Sequence, residues 1–141
     1  MADQPFRVLP RLSEDTEFFW TSGGDGVLRF MRCQDDRTYV HPPAPVCPVC
    51  LGKSLAPEPV SGRATVATCS INHQPWYPGL DPPYVVAIVE IEEQPSVRLM
   101  TNIVGCPPDD VYIGMPVQVA FEQYDDVWLP FFSPRTEGEG A

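Results

Sequence analysis

The chain is poor in positive charge, in histidine and in long apolar runs. Nine lysines and arginines stand against 19 acidic side chains, for a formal net charge of -10 over 141 residues. Binding to free nucleic acid needs a basic track that releases counterions from phosphates, so the sign of this charge argues against it. No stretch approaches the ~18 apolar residues that span a bilayer. The start, MADQPFRVLP, has neither the basic segment nor the apolar core of a secretory signal. Five cysteines without export make structural disulfides improbable, and a cytoplasmic protein with reduced thiols is expected. With two histidines, no G-x-S-x-G, no H-E-x-x-H and no phosphate-cradling glycine loop, independent catalysis has little support.

Proline is what the chain has in excess. Eighteen of them exclude long helices and favour short strands joined by stiff loops. Residues 1–24 read as a helical arm. Ser13 is a fair N-cap for Glu14 to Trp20, three acids suit the positive helix end, and Gly23-Gly24 stops it. Phe18, Phe19 and Trp20 are more aromatic surface than so short a helix can bury on itself. They either pack on the rest of the chain or dock onto another protein.

Residues 25–52 read as a cysteine-bearing hairpin module, 53–61 as a Pro-containing linker, and 62–134 as strands, with a frayed tail at 135–141. The strands are Arg63 to His73, Tyr84 to Ile91, Val97 to Val104, Val117 to Glu122 and Val127 to Phe132. A short turn or helix at Pro107 to Tyr112 separates the third from the fourth. In Val117 to Glu122 the alternation points Val117, Val119 and Phe121 inward. Three strands, a helical connection and two more is the order of the five-stranded OB-fold barrel; a small open sandwich has similar spacings. The fold class expected is mainly β: helical arm, ribbon-like hairpin, then barrel.

The strongest chemical signal is Cys47-Pro48-Val49-Cys50-Leu51-Gly52, two thiols at C-x-x-C spacing followed by glycine. Such a knuckle turns backbone amides toward its sulfurs and suits tetrahedral zinc. A matching knuckle upstream would begin at Cys33, and its second ligand would fall on Asp36, an admissible zinc ligand. The set Cys33, Asp36, Cys47 and Cys50 is therefore the candidate metal site. A metal-free ribbon and a redox dithiol are the alternatives. His41, followed by two prolines, reads as a hairpin end rather than a ligand. Cys69 and Cys106 read as small core residues. The long loop Asn72 to Pro83 holds His73, Trp76 and Tyr77, stiffened by prolines, and is a candidate surface for a partner or for acyl-CoA.

In order along the chain, Arg32-Cys33, His41-Pro42-Pro43, Cys47-Pro48-Val49-Cys50, Gly62 to Val66, Pro83 to Glu90 and Ile113 to Val117 closely resemble the family called domain of unknown function thirty-five. The resemblance runs over roughly residues 14–134. It implies a helical arm and a rubredoxin-like zinc ribbon joined to an OB-fold. It also implies a partner that holds the catalytic residues, either a thiolase-like enzyme (steroid side-chain aldolases among them) or a MaoC-like enoyl-CoA hydratase. This chain would then be a non-catalytic subunit in a two-plus-two complex, sharing acyl-CoA with its partner; a stand-alone acyl-CoA binder is a further alternative. Asp36 departs from the family's cysteine.

Overall fold

Tyr84 to Ile91 alternates between half-buried and buried positions along its whole length, with Val85, Ala87, Val89 and Ile91 turned inside. That period of two is the mark of a strand with one face on a core, and it sets the frame for the rest. The computed structural model describes residues 9–75 and 81–135. In chain order it has α1 (Glu17–Thr21), a 3-10 turn (Ser22–Asp25), β1 (Arg29–Cys33), β2 (Tyr39–Val40), β3 (Leu55–Pro59), β4 (Arg63–Asn72), β5 (Tyr84–Ile91), β6 (Arg98–Ile103), a second 3-10 turn (Pro108–Asp110), β7 (Pro116–Tyr124) and β8 (Val127–Pro134). Among the described residues, no helix is long and apolar enough to cross a membrane.

The last five strands close into a barrel in the order β4-β5-β6-β8-β7. All neighbours are antiparallel except β6 and β8, which meet in parallel at Ile103 and Phe132. A bulge between Val66 and Thr68 bends β4, the strand that pairs with both β5 and β7. This closed five-strand order, with the helical turn between β6 and β7, is the OB-fold topology and removes the open-sandwich alternative. Phe132, Val66, Val85, Val89 and Val117 fill the interior.

Several expectations shift. Residues 53–61 are not a free linker: β3 pairs with β1 from Arg29↔Pro59 to Cys33↔Leu55, giving a three-stranded sheet β2-β1-β3. The helix begins at Glu17 rather than after Ser13, because the Ser13 hydroxyl is engaged with Thr16 Oγ1 at 2.9 Å and residues 13–16 form a turn. Gly23-Gly24 does not end the helical path, which tightens into the 3-10 turn and stops at Gly26, φ 78°. Gly23 has another role. A Cβ there would lie 2.5 Å from the Cβ of Trp128 and 2.6 Å from the Phe121 ring, so glycine is what lets the arm lie against the barrel. Val117 is fully enclosed, while Val119 and Phe121, on the same face of β7, are half-buried against the same core. Cys69 and Cys106 are half-buried against the core.

Candidate metal centre

The two knuckles are built alike. In the downstream one, Leu51 N–H donates to Cys47 O at 2.9 Å, Cys47 N–H to Gly52 O at 2.9 Å, and Leu51 turns left-handed at φ 64°. In the upstream one, Arg37 N–H donates to Cys33 O at 3.0 Å, Cys33 N–H to Thr38 O at 2.8 Å, and Arg37 turns left-handed at φ 66°. The amides inside each turn aim at the ligand atoms. Val49 N–H points to Cys47 Sγ at 3.4 Å, Gly52 N–H to Cys50 Sγ at 3.4 Å and Asp36 N–H to Cys33 Sγ at 3.5 Å. Thr38 N–H donates to Asp36 Oδ1 at 3.0 Å, as Gly52 N–H does to Cys50. Asp36 thus stands where the second cysteine of the knuckle would be.

β1 carries Cys33 at its end, and the β1–β3 pairing brings the chain that follows Cys50 back beside it. One ligand atom from each of Cys33, Asp36, Cys47 and Cys50 lies within 4.8 Å of all the others. Cys33 Sγ and Cys50 Sγ are 3.6 Å apart, and Cys47 Sγ lies 3.5 and 3.7 Å from the Asp36 oxygens. A tetrahedron with Zn–S bonds of ~2.3 Å and a Zn–O bond of ~2.0 Å has S–S edges of about 3.8 Å and S–O edges of about 3.5 Å. The four residues therefore fit a zinc ion.

The electrostatics point the same way. Asp36 is held down to about 2, first by the Thr38 amide and then by the Cys33 thiol. The Cys50 amide, and then that of Val49, lower the Cys47 thiol. Cys50 goes the other way: the Gly52 amide favours its thiolate, but the Cys33 sulfur, burial and Cys47 together push it up to about 11. Anionic Asp36 and the neighbouring sulfurs thus oppose a thiolate at Cys50 until a cation supplies the compensating charge.

His41 is not a ligand. Its ring lies 5.0 Å from that of Phe19 and 4.9 Å from that of Phe30, centroid to centroid, and it couples the arm to the ribbon. Burial lowers its pKa to about 4, and Nδ1 has no hydrogen-bond partner among the described residues. A histidine held neutral in the fold stabilises it fully above its unfolded value near 6.5 and loses that contribution as pH falls toward 4. Stability measured by urea denaturation should drop by about 2 kcal/mol between pH 7 and pH 5 from this group, and His41→Phe should abolish that portion. Superimposable pH profiles for the two proteins would refute the assignment.

The other candidate residues divide. Phe19 is 3% exposed and belongs to the core, so as a docking residue it is corrected; its ring completes the arm–ribbon contact. Phe18 and Trp20 are half-buried against that core. His73 is exposed, just beyond β4. Trp76 and Tyr77 lie outside the described residues. Sequence reasoning missed an apolar groove of about 250 Å³ between the arm and the barrel, where Phe19 and Trp20 face Leu99, Met100, Leu129 and Phe131. Its one legible signal was Met100, an apolar residue on the outward parity of β6. The knuckle also displays Val49 and Leu51, 68% and 71% exposed.

A paired-knuckle ribbon leading into a closed five-stranded barrel defines the class: a zinc-ribbon OB-fold protein. Residues 20–56 match the family described as "ChsH2, rubredoxin-like zinc ribbon domain", and residues 57–122 match "ChsH2, C-terminal OB-fold domain". The chain belongs to this ChsH2, or DUF35, family. It is 38% identical over 134 residues to the 3-oxo-4,17-pregnadiene-20-carboxyl-CoA hydratase alpha subunit of Mycobacterium tuberculosis, covering 94% of this chain but only 42% of that one. It is 39% identical over 95 residues to a DUF35 domain-containing scaffold protein of Methanocaldococcus jannaschii, 66% of either chain. Among solved structures it is similar to a chain of the Ltp2-ChsH2(DUF35) aldolase, with a TM-score of 0.81, 35% identity, and coverage of 89% of this chain and 98% of that one.

Proposed function

We propose that this chain is a non-catalytic accessory subunit that completes a thiolase-like acyl-CoA enzyme of the aldolase or thiolase type in the cytoplasm. The observation that carries the reading is the likeness to the aldolase chain, which extends over nearly all of that chain in fold and sequence. The use of His41 as a packing residue, neutral and enclosed by Phe19 and Phe30, is in keeping with a supporting role. In this reading the ribbon holds zinc as a structural ion through Cys33, Asp36, Cys47 and Cys50. Phe18, Trp20, His73, Trp76 and Tyr77 contribute to partner or acyl-CoA contact, and two copies assemble on a dimeric partner. A second reading, a role beside an enoyl-CoA hydratase, is favoured by the similarity to the hydratase alpha subunit, of whose length this chain spans about two fifths.

Co-expression with the thiolase-like and hydratase-like proteins of the source genome, followed by sizing with light scattering, separates the two. Co-elution with a thiolase-like protein as a two-plus-two assembly, with acyl-CoA cleavage by the complex and none by this chain alone, is the expected result. Turnover by the isolated chain would contradict the accessory role. Assembly with the hydratase alone would select the second reading.

A further inference from the structure

The ligand tetrahedron has two unlike edges. Cys33 and Cys47 are completely buried, whereas Asp36 and Cys50 are exposed. The exposed edge also carries the odd donor, a hard carboxylate oxygen among three soft sulfurs. Asp36 accepts one backbone amide, that of Thr38, on Oδ1, and its two oxygens are nearly equidistant from Cys47 Sγ, 3.7 and 3.5 Å. Closed structural zinc sites use four fixed protein ligands, while sites with three strong protein ligands leave the fourth position to exchange. The geometry points to Asp36 as a displaceable ligand, so that the fourth position of the metal is open to an external thiol. This inference rests on the ribbon holding a divalent metal.

The exchange balances without redox chemistry. The metal–oxygen bond to Asp36 breaks, a metal–sulfur bond forms, and the thiol's proton leaves to solvent. The softer sulfur is the better match to a thiolate-rich site, and the exposed edge gives it access. Charge sets a preference among thiols. The Asp35 carboxylate stands beside Gly52, 3.0 Å from where a Cβ would be, and the released Asp36 adds a second negative charge. A neutral thiol is therefore favoured over an anionic one.

Cobalt(II) substituted into the full chain reads this directly, because its sulfur-to-metal charge-transfer absorption scales with the number of bound thiolates. In thiol-free buffer the wild-type chain should show the intensity of three thiolates. Addition of 2-mercaptoethanol should raise it by about one third, three becoming four, with one cobalt per chain retained after desalting. Thioglycolate should require a higher concentration for the same change. Asp36→Cys should start at the higher intensity and not respond. A wild-type spectrum unmoved by either thiol, an equal response in Asp36→Cys, or loss of cobalt in place of the spectral change would each overturn the inference while leaving the metal site standing. Failure to bind cobalt at all would remove both.

Discussion

Cys47→Ser should strip the ribbon of its metal and unfold it, leaving the barrel intact. Cys47 is fully buried, faces the Asp36 carboxylate and accepts the Val49 amide, so its sulfur joins the two knuckles. Serine is a poor zinc ligand, and its smaller oxygen leaves both knuckles without their shared anchor. Metal binding to small zinc modules is worth on the order of 10–16 kcal/mol and is in large part their folding energy. Here Leu28, Phe30 and Tyr39 share one buried cluster with the barrel core, which holds part of the ribbon in place, so the expected loss is several kcal/mol rather than the whole. Zinc content should fall from one per chain toward none. Amide exchange should accelerate across β1 to β3, while β4 to β8, closed on one another, keep their protection. A Cys47→Ser chain without metal but with native protection in β1 would show that packing alone shapes the ribbon.

Phe19→Ala should destabilise the free chain by about 3–5 kcal/mol, the range for deleting a buried aromatic ring. The ring is 3% exposed and lies within 5.8 Å of Phe30, 5.0 Å of His41 and 4.9 Å of Trp20, centroid to centroid. One substitution therefore loosens the arm, the ribbon edge and the groove wall together. Trp20→Ala, at a half-buried position, should cost the free chain no more than about half as much. Its main effect should be on assembly, with about 2 kcal/mol or more lost if it is a binding hot spot. Denaturation curves of the two variants, followed by titration of each with the partner, test both halves. Equal destabilisation with unchanged assembly would make Trp20 a core residue like Phe19.

How far the sequence could be read depended on how local the determining physics was. The five barrel strands were visible because one buried face imposes a period of two, and β5 falls on Tyr84 to Ile91 as expected. β3 was not visible. Leu55-Ala56-Pro57-Glu58-Pro59 has two prolines and no alternation, which describes a linker. In the fold it is an edge strand opposite β2, and an edge tolerates proline because one side of the strand needs no donors. The groove was equally hidden, since its walls come from α1, β5, β6 and β8 and share no motif.

The sequence by itself determined the two knuckles and the chain order of the five barrel strands. Each knuckle is a few residues of covalent spacing and short-range hydrogen bonds, enough to make Asp36 the candidate for the fourth ligand position. Tertiary structure alone decided that the knuckles meet, with their donors within 4.8 Å of one another. It also decided which of three consecutive aromatics goes inside. Phe18, Phe19 and Trp20 are chemically near-equivalent on a helix of five residues, too short for its own periodicity to choose a face. The choice fell to the surfaces awaiting cover, the ribbon at Phe30 and His41 and the barrel beneath Gly23. Burial energy depends on which surfaces come together, and those surfaces are assembled from segments far apart in the chain.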